Sequence, residues 1–490
     1  MPQLSKKIAE SQKLVPSDAF DLPVKVLQFG TGVLLRGLCD YQIDKANRAG
    51  VFGGRVVVVK STSGGVGNDD FTNQDGLYTV VTQGVQQGKN VDEATVVSAI
   101  SRVISAQENW DDILKIARNP HLEIIISNTT EVGIQYVEES VFKGPPTSFP
   151  AKLTRFLYER FKMFGGHKNK GLIVVPTELI TDNGLKLREC VEKISKANQL
   201  GGMFTKWLKY HVKFCNSLVD RIVPGKPATA VHSELETRLG YEDALLTVTE
   251  PYHFWAIEGD DRVKQVLSFA AANPESIVIE EDITFYRERK LRILNGSHSL
   301  AAQLGFLNGF NTVYECTQDA TMNAYYDALI YQNIIPTLPF EDQNEAVIHF
   351  AREVLDRYKN PYIKHKLLGI TLQATSKMNA RNVPTLQRYY DEFDTVPQQI
   401  AQGFAAFLLF EKSVKFENGQ YFGLRNNEFY PINDDATAYF YTQWAKFDSA
   451  KTKEFVMEIL GNTQLWDCDL NKFDGFADAV AGYLSTQMKP

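Results

Sequence analysis

Residues 24–41, VKVLQFGTGVLLRGLCDY, decide the fold of the first half of the chain. A largely apolar run leads into the turn GTG, and Leu34, Leu38 and Tyr41 then recur at the spacing of one helical face. Beyond the glycines that end this helix, four consecutive valines, 56–59, indicate a second strand. A continuous β-branched run is typical of a strand buried on both faces of a parallel sheet. The segment therefore predicts a strand–helix–strand unit of an α/β fold.

The turn between the first strand and the helix indicates a dinucleotide site. Glycines there let backbone amides approach a pyrophosphate, and the N-terminus of the next helix attracts its charge. The G-x-G-x-x-G fingerprint is incomplete, because Leu35 occupies the third glycine position and Gly37 follows two residues later. A plain turn is the alternative. The expected cofactor contacts are Gln28, Phe29, Gly30, Thr31, Gly32, Val33, Leu34, Leu35 and Arg36.

The tip of the second strand, Lys60-Ser61-Thr62, bears on the choice of cofactor. An acidic side chain there would bind the adenosine ribose of NAD and repel the extra phosphate of NADP. None is present, which leaves the cofactor preference open, and Lys60 could favour NADP. NAD is the expected cofactor, with NADP as the alternative. Arg36 is expected either to pair with a phosphate or to be a solvated charge on the helix.

Length and pattern together predict two main domains. A chain of 490 residues is too long for one ordinary core. Strand and helix patterns alternate up to about residue 280, and helical patterns such as 289–308 and 362–378 dominate afterwards. We therefore expect an α/β Rossmann-type dinucleotide-binding domain over 1–280. A mainly α-helical substrate-binding and catalytic domain is expected over 281–490.

Composition narrows the class of partner. The formal charge of −7 disfavours binding to nucleic acid or to an anionic membrane. Five scattered cysteines without a C-x-x-C motif, a polar N-terminus and no long apolar run together predict a cytoplasmic protein. Neither H-E-x-x-H nor a Cys/His cluster occurs, so no metal site is expected. The expected assembly is a monomer or a small homo-oligomer.

The segment 286–299, YRERKLRILNGSHS, places Lys290, Asn295 and His298 in an apolar helical pattern. At about 100° per residue, Lys290 and His298 lie roughly 80° apart, with Asn295 some 60° beyond His298. Hydride removal from a secondary alcohol requires loss of the hydroxyl proton. A lysine can accept it only if its pKa falls from about 10.4 towards 7–8, which burial between domains could cause. Asn295 would donate to the reacting oxygen as charge develops there, and His298 would hold that oxygen. A solvent-exposed polar face is the alternative.

Two further charged sets are candidates. Asp220 and Arg221 lie in a β-like run, where they form either an ion pair that braces a strand or, with Asp220 near Lys290, a proton relay. A basic set in the helical half would suit the carboxylate or phosphate of an anionic sugar derivative. The set comprises Arg357, Lys359, Lys364, His365, Lys366, Lys377 and Arg381, and the proposed substrate contacts among them are Lys364, His365, Lys377 and Arg381.

Taken together, these segments resemble the polyol-specific long-chain dehydrogenases, the mannitol dehydrogenase family. The family signature V-D-R-[IV]-x-P corresponds to residues 219–224, and its catalytic pattern K-x-x-x-x-N-x-x-H is met by Lys290, Asn295 and His298. The resemblance implies that Lys290 is the general acid/base, that Asn295 stabilises the oxyanion and that His298 positions the substrate.

Other segments refine the resemblance. DGLYT at 75–79 and SNTTE at 127–131 are similar to family segments near the cofactor, which adds Asn128 to the expected contacts. QFGTGVLLRG (28–37), YRERKLRILNGSH (286–298) and NPYIKHKLL (360–368) resemble a branch acting on sugar acids. The implied reaction is the NADH-dependent, reversible reduction of D-tagaturonate to D-altronate in galacturonate breakdown.

The sequence departs from the mannitol branch at a second oxyanion asparagine. The corresponding stretch is Thr177-Glu178-Leu179 before Asn183-Gly184, and Leu179 cannot donate a hydrogen bond. Either Asn295 acts with a different donor, or Glu178 binds sugar hydroxyls. The alternatives are a fructuronate reductase, a mannitol- or arabinitol-type dehydrogenase and, from another class, a nucleotide-sensing protein without catalysis.

Overall fold

The computed structural model describes residues 1–61, 68–129 and 133–488. Thr62 of the strand tip and the end of the SNTTE segment, residues 130–131, lie outside them. The chain divides into a first unit, Met1–Gly84 with Asn90–Ile283, and a second, Val85–Lys89 with Thr284–Pro490. Within the described ranges, no helix is both long and apolar enough to cross a membrane.

The first unit is built on a parallel sheet of six strands in the order β5-β2-β1-β6-β7-β8. The strands of the first unit are β1 Val24–Phe29, β2 Arg55–Lys60, β3 Tyr78–Gln86, β4 Lys89–Val97, β5 Ile100–Ser105, β6 Ile124–Ser127, β7 Ile173–Pro176, β8 Lys213–Phe214, β9 Ser217–Asp220, β10 Thr247–Thr249, β11 Phe254–Glu258 and β12 Ile277–Glu280. The remaining strands form two small sheets, β10-β3-β4 and β12-β11-β9. The expected Rossmann-type parallel sheet is confirmed.

The valine-rich strands lie between two hydrophobic cores. In β1, Leu27 and Phe29 face one core and Val26 faces the other, all fully buried. The four valines of β2 alternate in the same way. Because both faces are covered by helices, an uninterrupted apolar run suits these strands.

Helices cover the faces of this sheet. The helices of the first unit are α1 Lys6–Ser11, α2 Val33–Leu35, α3 Tyr41–Arg48, α4 Asn68–Asn73, α5 Trp110–Ile116, α6 Phe149–Met163, α7 Asn183–Ala197, α8 Gly202–His211, α9 Thr229–Leu239 and α10 Asp261–Val266. A π-helical segment, Arg36–Asp40, joins α2 to α3, so the helix after the glycine turn runs without a break from 33 to 48.

The second unit is mainly helical, as expected. Its helices are α11 Thr284–Arg289, α12 Ser297–Leu307, α13 Val313–Gln318, α14 Ala320–Ala328, α15 Asn344–Tyr358, α16 Leu367–Ile370, α17 Ala374–Glu392, α18 Gln398–Phe410, α19 Thr437–Ala445, α20 Thr452–Leu460, α21 Thr463–Trp466 and α22 Phe476–Gln487. Two π-helical segments, Lys290–Gly296 and Leu329–Ile334, continue α11 into α12 and extend α14.

Two details of the second unit correct the sequence analysis. The single helix expected over 362–378 is wrong, because Gln373 adopts a left-handed conformation (φ +53°) and separates α16 from α17. A three-stranded antiparallel sheet, which the pattern did not predict, comprises β13 Lys415–Glu417, β14 Gln420–Arg425 and β15 Glu428–Ile432.

Candidate active site

The turn after β1 requires glycine at one position and leaves open space at the other. Gly30 has φ +124°, and a Cβ there would lie 2.8 Å from the carbonyl oxygen of Asn128. A Cβ at Gly32 would meet no atom within 4 Å, and this glycine is exposed. The amide of Gly30 is already bonded to the carbonyl of Val59 (3.0 Å). A pyrophosphate would therefore approach over Gly32, at the N-terminus of the helix that begins with Val33.

Several residues expected to contact the cofactor are interior. The side chains of Gln28, Phe29 and Leu35 are fully buried. Any contact that they make with a nucleotide is therefore through the backbone. Thr31, Val33 and Leu34 are partly buried and lie at the surface of the turn.

Arg36 lies inside the first unit and is not a solvated charge. Its Nη1 donates to the carbonyl oxygen of Leu245 (2.6 Å), and its guanidinium lies against the rings of Phe71 and Tyr78. Burial lowers its pKa, although nearby acidic groups oppose the change. The placement gives Arg36 a structural role and does not support a phosphate contact.

Asp40 is a buried acid beneath the turn that the sequence analysis missed. Its Oδ2 accepts a hydrogen bond from Nε2 of Gln28 (3.2 Å), which also donates to the carbonyl of Gly30 (3.3 Å). Burial raises the pKa of Asp40 to about 7, against the opposing effects of Gln28 and Arg36. The only signal in the sequence is an acid amid apolar residues of an amphipathic helix.

Asn128 and Glu178 hold together the ends of β6 and β7. Nδ2 of Asn128 donates to the carbonyl and the hydroxyl of Thr177, both at 3.0 Å. Both oxygens of Glu178 are engaged, Oε2 by Ser127 (3.2 Å) and Oε1 by the amide and hydroxyl of Thr129 (2.9 Å each). This placement favours a bracing role for Glu178 over a contact with sugar hydroxyls.

In the stretch 177–184, Asn183 and Gly184 are held by close contacts, whereas Leu179 is exposed. The Nδ2 of Asn183 donates to three carbonyls, and a Cβ at Gly184 would lie 2.4 Å from the backbone of Cys215. Leu179, in contrast, is 61% exposed. The corner is fixed by backbone packing, while Leu179 at its tip is exposed and cannot donate a hydrogen bond.

The motif at 219–224 is structural at Arg221. Asp220 ends β9, is buried and is in register with Phe254. Arg221 donates to the carbonyl of Glu250 (2.9 and 3.1 Å), to that of Gly37 and to the hydroxyl of Thr82 (3.3 Å). Burial lowers the pKa of Arg221 to about 10. The guanidinium thus braces the strand by bonding carbonyls of several elements.

In the second unit, Lys290 and Asn295 lie in a π-helical segment, so the α-helical angles expected for them are wrong. An α-helix would separate them by about 140° around the axis. A π-helix pairs residue i with residue i+5, which places both on one face, one turn apart. Both are partly buried. Single π turns are frequent at functional sites.

His298 lies one turn further on, in a buried group of rings. Its ring centroid is 4.3 Å from that of Tyr358 and 5.0 Å from that of His365. Burial lowers its pKa well below the ordinary value, and His365, Arg357 and Arg381 lower it further. Its Nδ1 is buried without a hydrogen-bond partner among the described residues. A neutral imidazole with an uncommitted nitrogen can bond one substrate oxygen.

Of the predicted basic set, the structure brings two members to this group. Nη1 of Arg381 donates to the carbonyl of Asn295 (3.4 Å) and to Oγ of Ser299 (2.9 Å). His365 packs on His298, and burial followed by the charge of Arg357 lowers its pKa. Lys377 donates to the carbonyl of Ile370 (3.0 Å), and Lys364 is exposed. Arg381 and His365 are therefore the better placed of the four.

Two more residues belong to this group: Tyr358, which the sequence analysis did not select, and Arg357, which it placed in the basic set but not among the proposed substrate contacts. The hydroxyl of Tyr358 donates to the carbonyl of Leu294 (3.0 Å) and bonds Oγ of Ser297 (2.7 Å). Arg357 is buried. Both residues lie at the C-terminal end of α15. In the sequence, the only sign of them was an arginine next to an aromatic residue on a half-apolar helix. Across the ranges that the structure describes, no group of three or more His, Cys, Asp or Glu side chains is arranged to hold a metal ion.

Comparisons with known proteins agree over both units. The mannitol dehydrogenase Rossmann domain matches residues 24–270, and the mannitol dehydrogenase C-terminal domain matches residues 282–487. Altronate oxidoreductase of Halalkalibacterium halodurans is 35% identical, covering 98% of this chain and 94% of that protein. Altronate oxidoreductase of Bacillus subtilis is 38% identical, covering 94% and 92%.

Solved structures share the fold. Mannitol 2-dehydrogenase of Pseudomonas fluorescens, in a ternary complex with NAD and D-mannitol, has a TM-score of 0.67 at 22% identity and covers 99% of this chain and 96% of its own. Substrate-free D-sorbitol dehydrogenase has a TM-score of 0.76 at 19% identity, with full coverage of both chains. With both domain families matched across most of its length, this chain is an oxidoreductase acting on CH–OH groups and belongs to the mannitol dehydrogenase family.

Proposed function

We propose that this protein catalyses the reversible, NADH-dependent reduction of D-tagaturonate to D-altronate. The observation that carries the proposal is the arginine set beside the reacting groups: Arg381 is bonded to the backbone of Asn295, and Arg357 lies close enough to affect His298 and His365. Guanidinium groups are suited to bind a carboxylate. Relatives named altronate oxidoreductase over almost the whole chain support a sugar acid as the substrate.

In the proposed reaction, Lys290 supplies and removes the proton. During reduction its ammonium gives a proton to the ketone oxygen as the hydride arrives at the carbon, and solvent then reprotonates the amine. Asn295 donates from its side-chain amide to the same oxygen while negative charge develops. His298, neutral because of burial, bonds a substrate hydroxyl or that oxygen through its uncommitted nitrogen. Asp220 is kept as a proposed relay partner.

NAD is the proposed cofactor, and it supplies the hydride when bound. The left-handed Gly30 and the open space over Gly32 fit a pyrophosphate approaching the helix N-terminus. The Pseudomonas fluorescens relative was solved with NAD. The described tip of β2, Lys60 and Ser61, carries no acid that would reject NADP. Fluorescence titration with NADH and NADPH side by side decides the preference, and tighter NADPH binding would refute the choice of NAD.

The substrate carboxylate is proposed to bind Arg381 and His365, with Lys364 and Lys377 as outer members. The two nearer groups contact the residues of the segment that carries Asn295 and His298. Residues 281–490 are accordingly the proposed substrate and catalytic domain, and 1–280 the nucleotide domain.

A cytoplasmic enzyme is proposed on the strength of five free cysteines, four of them buried. We propose a monomer or small homo-oligomer that binds neither nucleic acid nor membrane.

Substrate preference separates this proposal from its family alternatives. Initial rates with NADH are measured on tagaturonate, fructuronate and fructose at equal concentrations. A clear preference for tagaturonate is expected. Preference for fructuronate would move the enzyme to the mannonate reaction, and preference for fructose would reject a sugar-acid substrate.

The Lys290→Ala variant tests the chemistry. We expect turnover to fall by orders of magnitude while NADH binding, followed by fluorescence, stays within about two-fold. Lys446→Ala is a matched control, since it removes an exposed lysine of the same unit that lies outside the proposed site. Near-normal turnover by Lys290→Ala would refute the mechanism. Tight NADH binding by the wild type without turnover of any of the three substrates would instead support a nucleotide-sensing protein.

A further inference from the structure

The π-helical segment Lys290–Gly296 is fastened to α17 by an arginine that lies between the two proposed reacting residues. Arg292 is buried, and its Nη1 donates to the carbonyl oxygens of Ala380 and Arg381, each at 2.8 Å. Its Nε bonds Glu288 (3.2 Å). Burial raises the pKa of Glu288, but the pairs with Arg292 and Arg388 outweigh it and lower that pKa. The buried guanidinium therefore has a charged partner and two backbone acceptors.

One of the two acceptors is a carbonyl that lacks its helical donor. Pro384 lies inside α17 and has no amide hydrogen, so the carbonyl of Ala380, four residues earlier, has no helical partner. The carbonyl of Arg381 accepts from the hydroxyl of Thr385 (3.3 Å) in addition to Arg292. Buried carbonyls need donors, and Arg292 supplies them at the point where the proline interrupts the ladder.

The contact runs in both directions. From the same turn of α17, Arg381 reaches back to the carbonyl of Asn295 and to Ser299. The two segments also pack closely, since a Cβ at Gly296 would lie 3.0 Å from the side-chain Oδ1 of Asn382 and 3.9 Å from the carbonyl oxygen of Arg381. Two arginines thus join the same two segments, one carrying Lys290 and Asn295 and the other carrying Arg381.

We infer that Arg292 is a positioning residue: it fixes the π turn that presents Lys290 and Asn295 against the turn of α17 before Pro384, which carries Arg381. This inference rests on the proposed function, because it takes Lys290 and Asn295 as the reacting groups. A misplacement of about 1 Å between a general acid and a donor costs on the order of 100-fold in rate. Loss of Arg292 therefore acts on turnover more than on nucleotide binding, which belongs to the first unit.

The test compares Arg292→Met with Arg388→Met, which removes the other arginine on Glu288. For Arg292→Met we expect kcat to fall about 10- to 100-fold, with the Kd of NADH unchanged within about two-fold and an altered pH dependence of kcat. Arg388→Met should keep kcat within about three-fold. Arg292→Lys retains the charge in case the methionine variant folds poorly, and it should recover part of the loss. Equal losses in Arg292→Met and Arg388→Met, or a wild-type kcat and pH profile in Arg292→Met, would overturn the inference.

A double-mutant cycle with Pro384→Ala isolates the carbonyl contact. Alanine restores an amide that can bond Ala380, so Arg292→Met should cost several-fold less in that background, and strictly additive effects would overturn the assignment. Hydrogen exchange gives a readout that does not depend on catalysis: amides of 290–296 should exchange faster in Arg292→Met but not in Arg388→Met. If the wild type turns over no sugar acid, the proposed function fails, while the exchange comparison still decides the role of Arg292.

Discussion

The two glycines of the turn after β1 predict opposite consequences for the same substitution. Gly30→Ala places a methyl group on a backbone with φ +124°, 2.8 Å from the carbonyl oxygen of Asn128 and 3.0 Å from Cδ1 of Leu35. The Leu35 methyl can move, but the Asn128 backbone is held by its bond to the carbonyl of Phe29 (3.1 Å). Gly32→Ala adds a methyl group to an ordinary backbone (φ −63°) with nothing within 4 Å.

The magnitude for Gly30→Ala follows from these contacts. A non-glycine residue in so sparsely populated a conformation costs about 1–3 kcal/mol, and the methyl contact adds to that. A total of about 3 kcal/mol corresponds to a fall in Tm of about 6–12 °C for a unit of this size. Gly32→Ala should change the free energy of unfolding by less than about 0.5 kcal/mol. Its methyl group instead occupies the space through which a pyrophosphate approaches, so the Kd of NADH should rise at least about 10-fold.

Two measurements on each variant check this contrast: thermal unfolding and NADH titration by fluorescence. The reasoning is refuted if Gly30→Ala unfolds at the wild-type temperature, because neither the backbone strain nor the clash would then be real. It is equally refuted if Gly32→Ala binds NADH as tightly as the wild type. That result would move the phosphate path away from the turn.

Three further predictions concern buried charge and the substrate. Burial raises the pKa of Asp40 to about 7, so the folded state favours the protonated acid. The stability that the protonated acid contributes is fully present below the unfolded-state pKa of about 3.8 and is lost as the pH rises through 7. In urea unfolding, Asp40→Asn should therefore gain about 3 kcal/mol relative to wild type between pH 5 and pH 8, and a pH-independent difference would contradict this. Arg221→Met leaves buried carbonyls without donors and should lower the free energy of unfolding by about 3–5 kcal/mol. Arg238→Met, which removes an exposed pair with Asp92, should lower it by less than about 1 kcal/mol. Equal losses in the two variants would argue against the bracing role of Arg221. Arg381→Met should lower kcat/KM for both substrates, because the backbone contact with Asn295 is lost, but by about 100-fold more for tagaturonate than for fructose; steady-state kinetics showing equal losses would place the carboxylate elsewhere.

The parallel sheet could be predicted from the sequence because its signal is local. The valines of β2 and the apolar run of β1 need no knowledge of distant residues to be read as strands buried on both faces. The helix break at Gln373 could not, because a left-handed residue other than glycine leaves no mark in an apolar pattern. The antiparallel sheet over 415–432 lies near the end of a helical region, and its short strands give a weak period of two.

The site was predictable in its residue types but not in its partners. The spacing indicated Lys290, Asn295 and His298 as candidates, and their roles stay predictions. The roles of Arg36 and Glu178, in contrast, depended on what each side chain meets. Arg36 bonds a carbonyl 209 positions away, and Glu178 bonds residues about 50 positions away. A charge beside a strand or on a helix reads as solvated until the tertiary contacts are known. Long-range pairing therefore decided these roles, and propensity could not.

The two helices that carry the proposed nucleotide and catalytic residues share one construction. Each contains a π turn, and in each the carbonyls of that turn accept hydrogen bonds from side chains far along the chain. In the first unit, Tyr78 donates to the carbonyl of Arg36, and Arg221 donates to that of Gly37. In the second unit, Tyr358 donates to the carbonyl of Leu294, and Arg381 donates to that of Asn295. A change from i+4 to i+5 pairing leaves a carbonyl without its helical donor, and a buried carbonyl needs another. These side-chain donors therefore stabilise the π turn relative to a regular α-helix. In the second unit, the π turn places Lys290 and Asn295 on one face of the helix. Substituting any of these donors should therefore affect the site through the backbone, even where the side chain touches no ligand.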